Sequence, residues 1–184
     1  MKTLSMILFS GVLLFSACQS DEGDNGKKLD KQISEAEQKM AAESKPTPEQ
    51  LTQLIKLYEQ HVEKYPERKE TNVAFLMKAA EAARAKSDFK KALEIYDRVI
   101  AGFRGHEKAA RALFMKGYTY DNDLVMKDSA VVFYKTFLQR YPRSEFADDA
   151  KFLLENIGKT NAEIIEEFEK KQKAQGGSSS LSGK

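Results

Sequence analysis

Few side chains in this sequence are placed for chemistry. Cys18 is the only thiol, so it has no partner for an intrachain disulfide and no second sulfur to share a metal. The two histidines, His61 and His106, fall at non-equivalent positions of the periodicity described below, which argues against a shared metal. Asp121-Asn122-Asp123 begins like a calcium loop, but the sixth position is Met126 rather than Gly and the twelfth is Val132 rather than Glu. It reads as a helix end and a turn. Asp148 and Asp149 are adjacent, so on a helix they diverge and cannot flank a bond as a carboxylate pair. Neither the Gly-x-x-x-x-Gly-Lys phosphate loop nor the Gly-x-Ser-x-Gly nucleophile elbow occurs. The expectation is a protein that is not an enzyme, with no cofactor, no metal and no small-molecule substrate.

Cys18 gains meaning from what precedes it. Met1-Lys2-Thr3 is a short basic start, and Leu4 to Phe15 is apolar or small throughout. That run is too short to cross a bilayer, which takes about 20 apolar residues, and fits the core of a secretory signal peptide. Phe15-Ser16-Ala17-Cys18 resembles the lipobox of bacterial lipoproteins, with Phe15 where that motif usually has Leu. The resemblance implies cleavage after Ala17, so that 1–17 is a signal peptide and Cys18 a lipidated N-terminus carrying palmitate or similar chains. Two or more acyl chains give stable membrane anchoring, at roughly 0.8 kcal/mol per buried CH₂. Gln19 to Asp24 is acidic. It reads either as a solvated tether or as a likeness of the signal that sends some Gram-negative lipoproteins to the cell surface. Gln19 is not the Asp that, in enteric lipoproteins, favours retention in the inner membrane. The implied location is the outer membrane of a Gram-negative bacterium, on its periplasmic face or at the cell surface.

The body of the chain has a period. Tyr58, Tyr96 and Tyr134 are spaced 38 residues apart. The same shift aligns Leu57, Ile95 and Phe133, then Tyr65, Phe103 and Tyr141, then Ala74, Ala112 and Ala150. Between Ala109 and Pro142, Leu113, Gly117 and Tyr120 lie on one helical face, and Ala130, Tyr134 and Phe137 lie on another. A small residue, Gly117, sits where two helices approach closely, and Pro142 ends the unit. This pattern resembles the tetratricopeptide repeat. It implies an all-α helical solenoid of about seven helices with a C-terminal capping helix, occupying 47–174. A charged helix over 27–44, with Leu29, Ile33, Ala36 and Met40 in one stripe, belongs to the 18–46 segment before it. Two placements are open for that helix, packed on the first repeat or standing off as a stalk. Lys45-Pro46-Thr47-Pro48 breaks it. Later helices are expected at about 48–65, 71–85, 88–103, 144–156 with Ser144 capping and Phe152–Leu154 inside, and 160–173. A Gly/Ser-rich tail over 175–184 reads as disordered.

Net charge is +2 with 30 basic and 28 acidic residues. Loss of Lys2 with the leader leaves it near neutral, so no field recruits nucleic acid. Charged residues at 32 % suit solvated outer helix faces.

Tyr141-Pro142-x-Ser144 followed by Ala147 and Ala150 is similar to the repeats of TolA-binding (Tol-Pal) envelope proteins and of the outer-membrane β-barrel-assembly lipoprotein. The similarity covers about Pro48 to Gly158. The chain is shorter than the five-repeat assembly lipoprotein and lacks a long N-terminal coiled coil like that of the TolA-binding protein. What the resemblance implies is a lipid-anchored envelope scaffold whose concave groove binds a protein or peptide, or else an accessory of β-barrel assembly. In this repeat the first helix of each pair lines the groove. With Gly117 as the packing position, the groove residues are expected to be Arg111, Phe114, Tyr118, Asp121 and Asn122. One repeat earlier they are Val73, Leu76, Ala80, Ala83 and Arg84. The alternative is that Phe114 and Tyr118 pack on the next helix.

The anchor has a direct test. Cys18→Ser is expected to release the protein from the membrane fraction or to leave the leader uncut. Mass spectrometry of the mature N-terminus reads the acylation, and an unmodified wild-type N-terminus refutes it.

Overall fold

A computed structural model describes residues 21–176. The leader, Cys18 and the tail beyond Gly176 lie outside the described residues. Eight α-helices follow one another: α1 (Asp21–Ala41), α2 (Pro48–Lys64), α3 (Lys69–Ala85), α4 (Phe89–Gly102), α5 (Glu107–Tyr118), α6 (Lys127–Arg140), α7 (Ala147–Asn156) and α8 (Asn161–Gly176). No strand interrupts them among the described residues. Each of α1 to α6 packs on the next. The fold is therefore an all-α helical repeat in which α2, α4 and α6 carry the three equivalent tyrosines.

Local chemistry sets the starts. Thr47 and Gln50 form a reciprocal cap at α2: Gln50 N donates to Thr47 Oγ1 at 3.3 Å and Thr47 N donates to Gln50 Oε1 at 2.7 Å. Pro48 occupies the first turn, where its missing N–H costs nothing. Asp88 caps α4 by accepting from Lys91 N at 3.2 Å. Thr160 and Glu163 cap α8 in the same reciprocal way. Gly158 precedes it at φ +84°, a conformation that favours glycine.

Packing follows the 38-residue period. Tyr58, Tyr96 and Tyr134 are at most 1 % exposed. A Cβ added to Gly117 meets the Tyr134 ring at 2.9 Å, closer than such contacts allow, so this helix crossing needs glycine. Ala79 holds the equivalent place in the repeat before and is fully buried. One core joins α1 to α4 and takes in Ala112 of α5, and a second joins α5 to α7, with Ile100 and Met115 packed against both.

Of the two placements open to the first helix, the structure has it packed. Leu29 and Ile33 are buried in the first core, and Ala36 and Met40 pack against it. A polar network latches the helix as well. Fully buried His61 faces Asn72 Oδ1 at 3.0 Å through Nδ1, and Asp30 Oδ1 at 3.2 Å through Nε2. Arg68 closes the ring on Asp30 Oδ2 at 3.0 Å, and Asn72 donates to the Tyr65 carbonyl at 2.7 Å. Every polar atom of the His61 ring thus has a partner, as a buried polar group requires.

Three local expectations are corrected. Ser144 does not cap a helix: residues 144–146 form a turn and α7 begins at Ala147. The Ser144 hydroxyl instead accepts from Phe146 N at 3.4 Å, because Phe146 is held by stacking on Phe114 at 5.0 Å. Phe152 is not inside but 55 % exposed, since no later helix covers that side of α7. Asp121-Asn122-Asp123 is not a simple helix end. Thr119–Asp123 winds as a π-helix, followed by Val125 at φ 55°, a strained value for a β-branched residue.

Tyr134→Ala is expected to cost about 3–5 kcal/mol, the range for deleting a buried large aromatic. Gly117→Ala should cost about 1–3 kcal/mol by overpacking. Denaturant melts of both against wild type check this, and unchanged midpoints refute the packing assignment.

Candidate partner-binding edge

The five residues singled out in α5 and the turn after it separate into two groups. Arg111, Tyr118 and Asn122 lie along one solvent edge, Arg111 and Asn122 exposed and Tyr118 half-buried. Arg111 Nη2 meets Glu81 Oε1 of α3 at 2.7 Å. The Arg84 guanidinium lies over the Tyr118 ring at 5.1 Å and bonds Asp123 Oδ2 at 2.7 Å through Nε. Burial works against the Arg84 charge, but the Asp123 carboxylate more than offsets it and raises the Arg84 pKa.

The other two face inward, which corrects the expectation for both. Phe114 is 7 % exposed, stacks on Phe146 at 5.0 Å and meets Phe137 edge-to-face at 5.6 Å. It is a core residue because Tyr134 and Phe137 of α6 and Phe146, just ahead of α7, close over that face of α5. Asp121 is 5 % exposed; Lys127 Nζ donates to its Oδ1 at 2.6 Å and the Tyr134 hydroxyl donates to its Oδ2 at 3.4 Å. Burial first, then the Asp121 charge, pushes the Tyr134 pKa far above the ordinary tyrosine value. One repeat earlier, Val73, Leu76, Ala80 and Ala83 are likewise buried, and only Arg84 reaches the edge.

The edge continues on residues that the sequence reading did not single out. Glu37 of α1 accepts from Lys78 of α3 at 2.7 Å and from the Tyr58 hydroxyl at 2.6 Å. Burial would raise the Glu37 pKa, but these two donors outweigh it and hold the carboxyl below its usual range. Glu37–Lys78, Glu81–Arg111 and Arg84–Asp123 thus tie α1 to α3 and α3 to α5 and its turn. The available signal was the exposed charged register of α3, where Lys78, Glu81 and Arg84 recur at helical spacing.

Neither histidine is free to act as a ligand. His61 is locked in the buried network above. His106 caps α5, accepting from Lys108 N at 3.0 Å, and its Nε2 meets Glu70 Oε2 at 3.0 Å. Among the described residues no group of three or more His, Cys, Asp or Glu side chains gathers as a metal site. None of the described helices is long and apolar enough to cross a membrane. Cys18 lies outside the described residues.

The family model described as "Outer membrane lipoprotein" (YfiO) matches residues 31–174, from within α1 to within α8. No curated protein and no solved structure matches the chain.

The two groups should separate in solution. Phe114→Ala should lose about 3–5 kcal/mol, whereas Arg111→Ala should stay within about 0.5 kcal/mol, as for an exposed side chain. Thermal melts decide; an Arg111→Ala loss as large as that of Phe114→Ala would show the edge to be structural.

Proposed function

The chain belongs to the YfiO family of outer membrane lipoproteins, and on that premise we propose that it is an envelope scaffold, anchored through Cys18, that docks a protein or peptide. The docking face is the α3–α5 edge around Arg111, Tyr118 and Asn122. One observation carries this reading: an Arg and a Tyr, types enriched at binding hot spots, are held ready on the edge by Glu81 and Arg84. Side chains already ordered lose less freedom on binding. The ion pairs themselves contribute little to stability at this exposure, which leaves them free to exchange partners.

A second reading, an accessory of outer-membrane β-barrel assembly, is favoured by the family match across the whole repeat body. The readings also divide by face. Assembly work requires the periplasmic side, whereas the acidic residues after Cys18 suit display at the surface.

Photo-crosslinking residues at position 111 or 122, introduced in living cells, are expected to give a discrete adduct. The same residue in place of Lys90, exposed on α4, is expected to give none. Adducts that contain a barrel-assembly component select the second reading. Labelling equal at all three positions, or at none, refutes the docking edge.

A further inference from the structure

The seven arginines of this chain divide into two sets. Arg68, Arg84, Arg98 and Arg111 each pair with a carboxylate. Arg104, Arg140 and Arg143 are exposed and, among the described residues, have no carboxylate within ion-pair distance and no guanidinium hydrogen bond. These three are also gathered in one place. Arg140 and Tyr141 line both of two adjoining cavities at the ends of α4 and α6. One, of about 640 Å³, includes Arg104 and Ile100. The other, of about 550 Å³, includes Arg143, Pro142 and Phe146. The acids along the walls do little to neutralise them: Asp97 is taken by Lys116 and Glu107 by Lys108, leaving Glu145 against three arginines.

The first repeat shows what such a corner holds. Tyr65, Phe103 and Tyr141 are equivalent under the 38-residue shift. Behind Tyr65, Arg68 lies over the ring at 4.4 Å and grips the Asp30 carboxylate of α1 at 3.0 Å. An aromatic with a neighbouring arginine therefore already receives a carboxylate from an adjoining segment within this molecule. At Phe103 and Tyr141 the aromatic and the arginines recur and, among the described residues, no segment supplies the acid.

We propose that the Arg104–Arg140–Arg143 cavities are a docking site for an acidic segment of a protein partner, its carboxylates on the guanidiniums and an apolar side chain against Tyr141, Pro142 and Phe146. A guanidinium binds a carboxylate through paired, charge-assisted hydrogen bonds. The concave shape and apolar wall favour a peptide over the flat surface of an anionic membrane. The site reaches the start of α5 through Glu107 and Ala110, with Glu107 one turn or about 6 Å from Arg111 at 1.5 Å per residue, but it uses none of the residues of the Arg111 edge and does not rest on that reading.

The probe is a short fluorescein-labelled peptide of alternating Asp and Phe, titrated by anisotropy into the detergent-solubilised mature protein. Binding is expected, weakening as salt rises. The combined R104Q, R140Q and R143Q variant should bind at least about tenfold more weakly, with its thermal midpoint unchanged. Combined K90Q, K135Q and K171Q, which removes the same charge from unpaired exposed lysines, should bind like wild type. A Lys-Phe peptide should not bind. R143Q alone, measured in parallel, should show an intermediate loss and keeps the test decisive if the triple variant unfolds. Equal binding by wild type and the arginine variants, or an equal loss in the lysine variant, overturns the proposal. So does arginine-dependent capture of phosphatidylglycerol vesicles without capture of the peptide.

Discussion

The contact between the Tyr134 ring and the bare Cα of Gly117 sets the geometry of the second half of this molecule. A ring buried against a neighbouring backbone fixes how closely α5 and α6 approach, because a Cβ at that point would overlap it at 2.9 Å. In the repeat before, the equivalent position holds Ala79, also fully buried. Close packing leaves little room for adjustment, so each helix pair is a rigid unit whose outer edges are carried in fixed relation. The α3–α5 edge and the arginine cavities both depend on that rigidity, since each draws side chains from two repeats.

The ends of the array are finished differently. At the N-terminal end α1 buries Leu29 and Ile33 and adds a satisfied polar ring through Asp30, His61, Arg68 and Asn72. At the C-terminal end α8 leaves Ile165 and Phe168 about 60 % exposed, and Phe152 of α7 is 55 % exposed. Terminal repeats are expected to present a polar outer face. α1 satisfies this through its charged side, whereas the polar faces of α7 and α8 are interrupted by these three large apolar side chains.

The period made the helices legible from residue types alone. Tyr58, Tyr96 and Tyr134 gave the phase, and Thr47, Asp88 and Thr160 gave starts that the structure repeats. What the sequence hid has a common physical cause: it depends on which segment lies over which. Phe114 and Tyr118 are four apart on one helix and both aromatic, yet Tyr134, Phe137 and Phe146 cover the first whereas the Arg84 guanidinium lies over the second. The Asp30–Arg68 pair spans 38 residues and carries no local signature. The π-helical turn was hidden for another reason. Thr119–Asp123 has the composition of an ordinary helix end, and its wider winding follows from tertiary ties: Asp121 to Lys127 and Tyr134, and Asp123 to Arg84.

The α1 latch has a mechanical consequence. A pull along the chain from its N-terminal side reaches α1 before any repeat. Resistance there comes from two polar clamps set along the helix, Asp30 on Arg68 and Glu37 on Lys78, with apolar contacts between and beyond them. Seven residues separate the clamps, about two helical turns. A load directed along the helix axis would strain both at once, in shear. A load directed away from the array would open them one after another, as a zipper opens. With the chain anchored through Cys18 as proposed, the angle at which it leaves the membrane sets how much force the first helix withstands before the repeats behind it are disturbed.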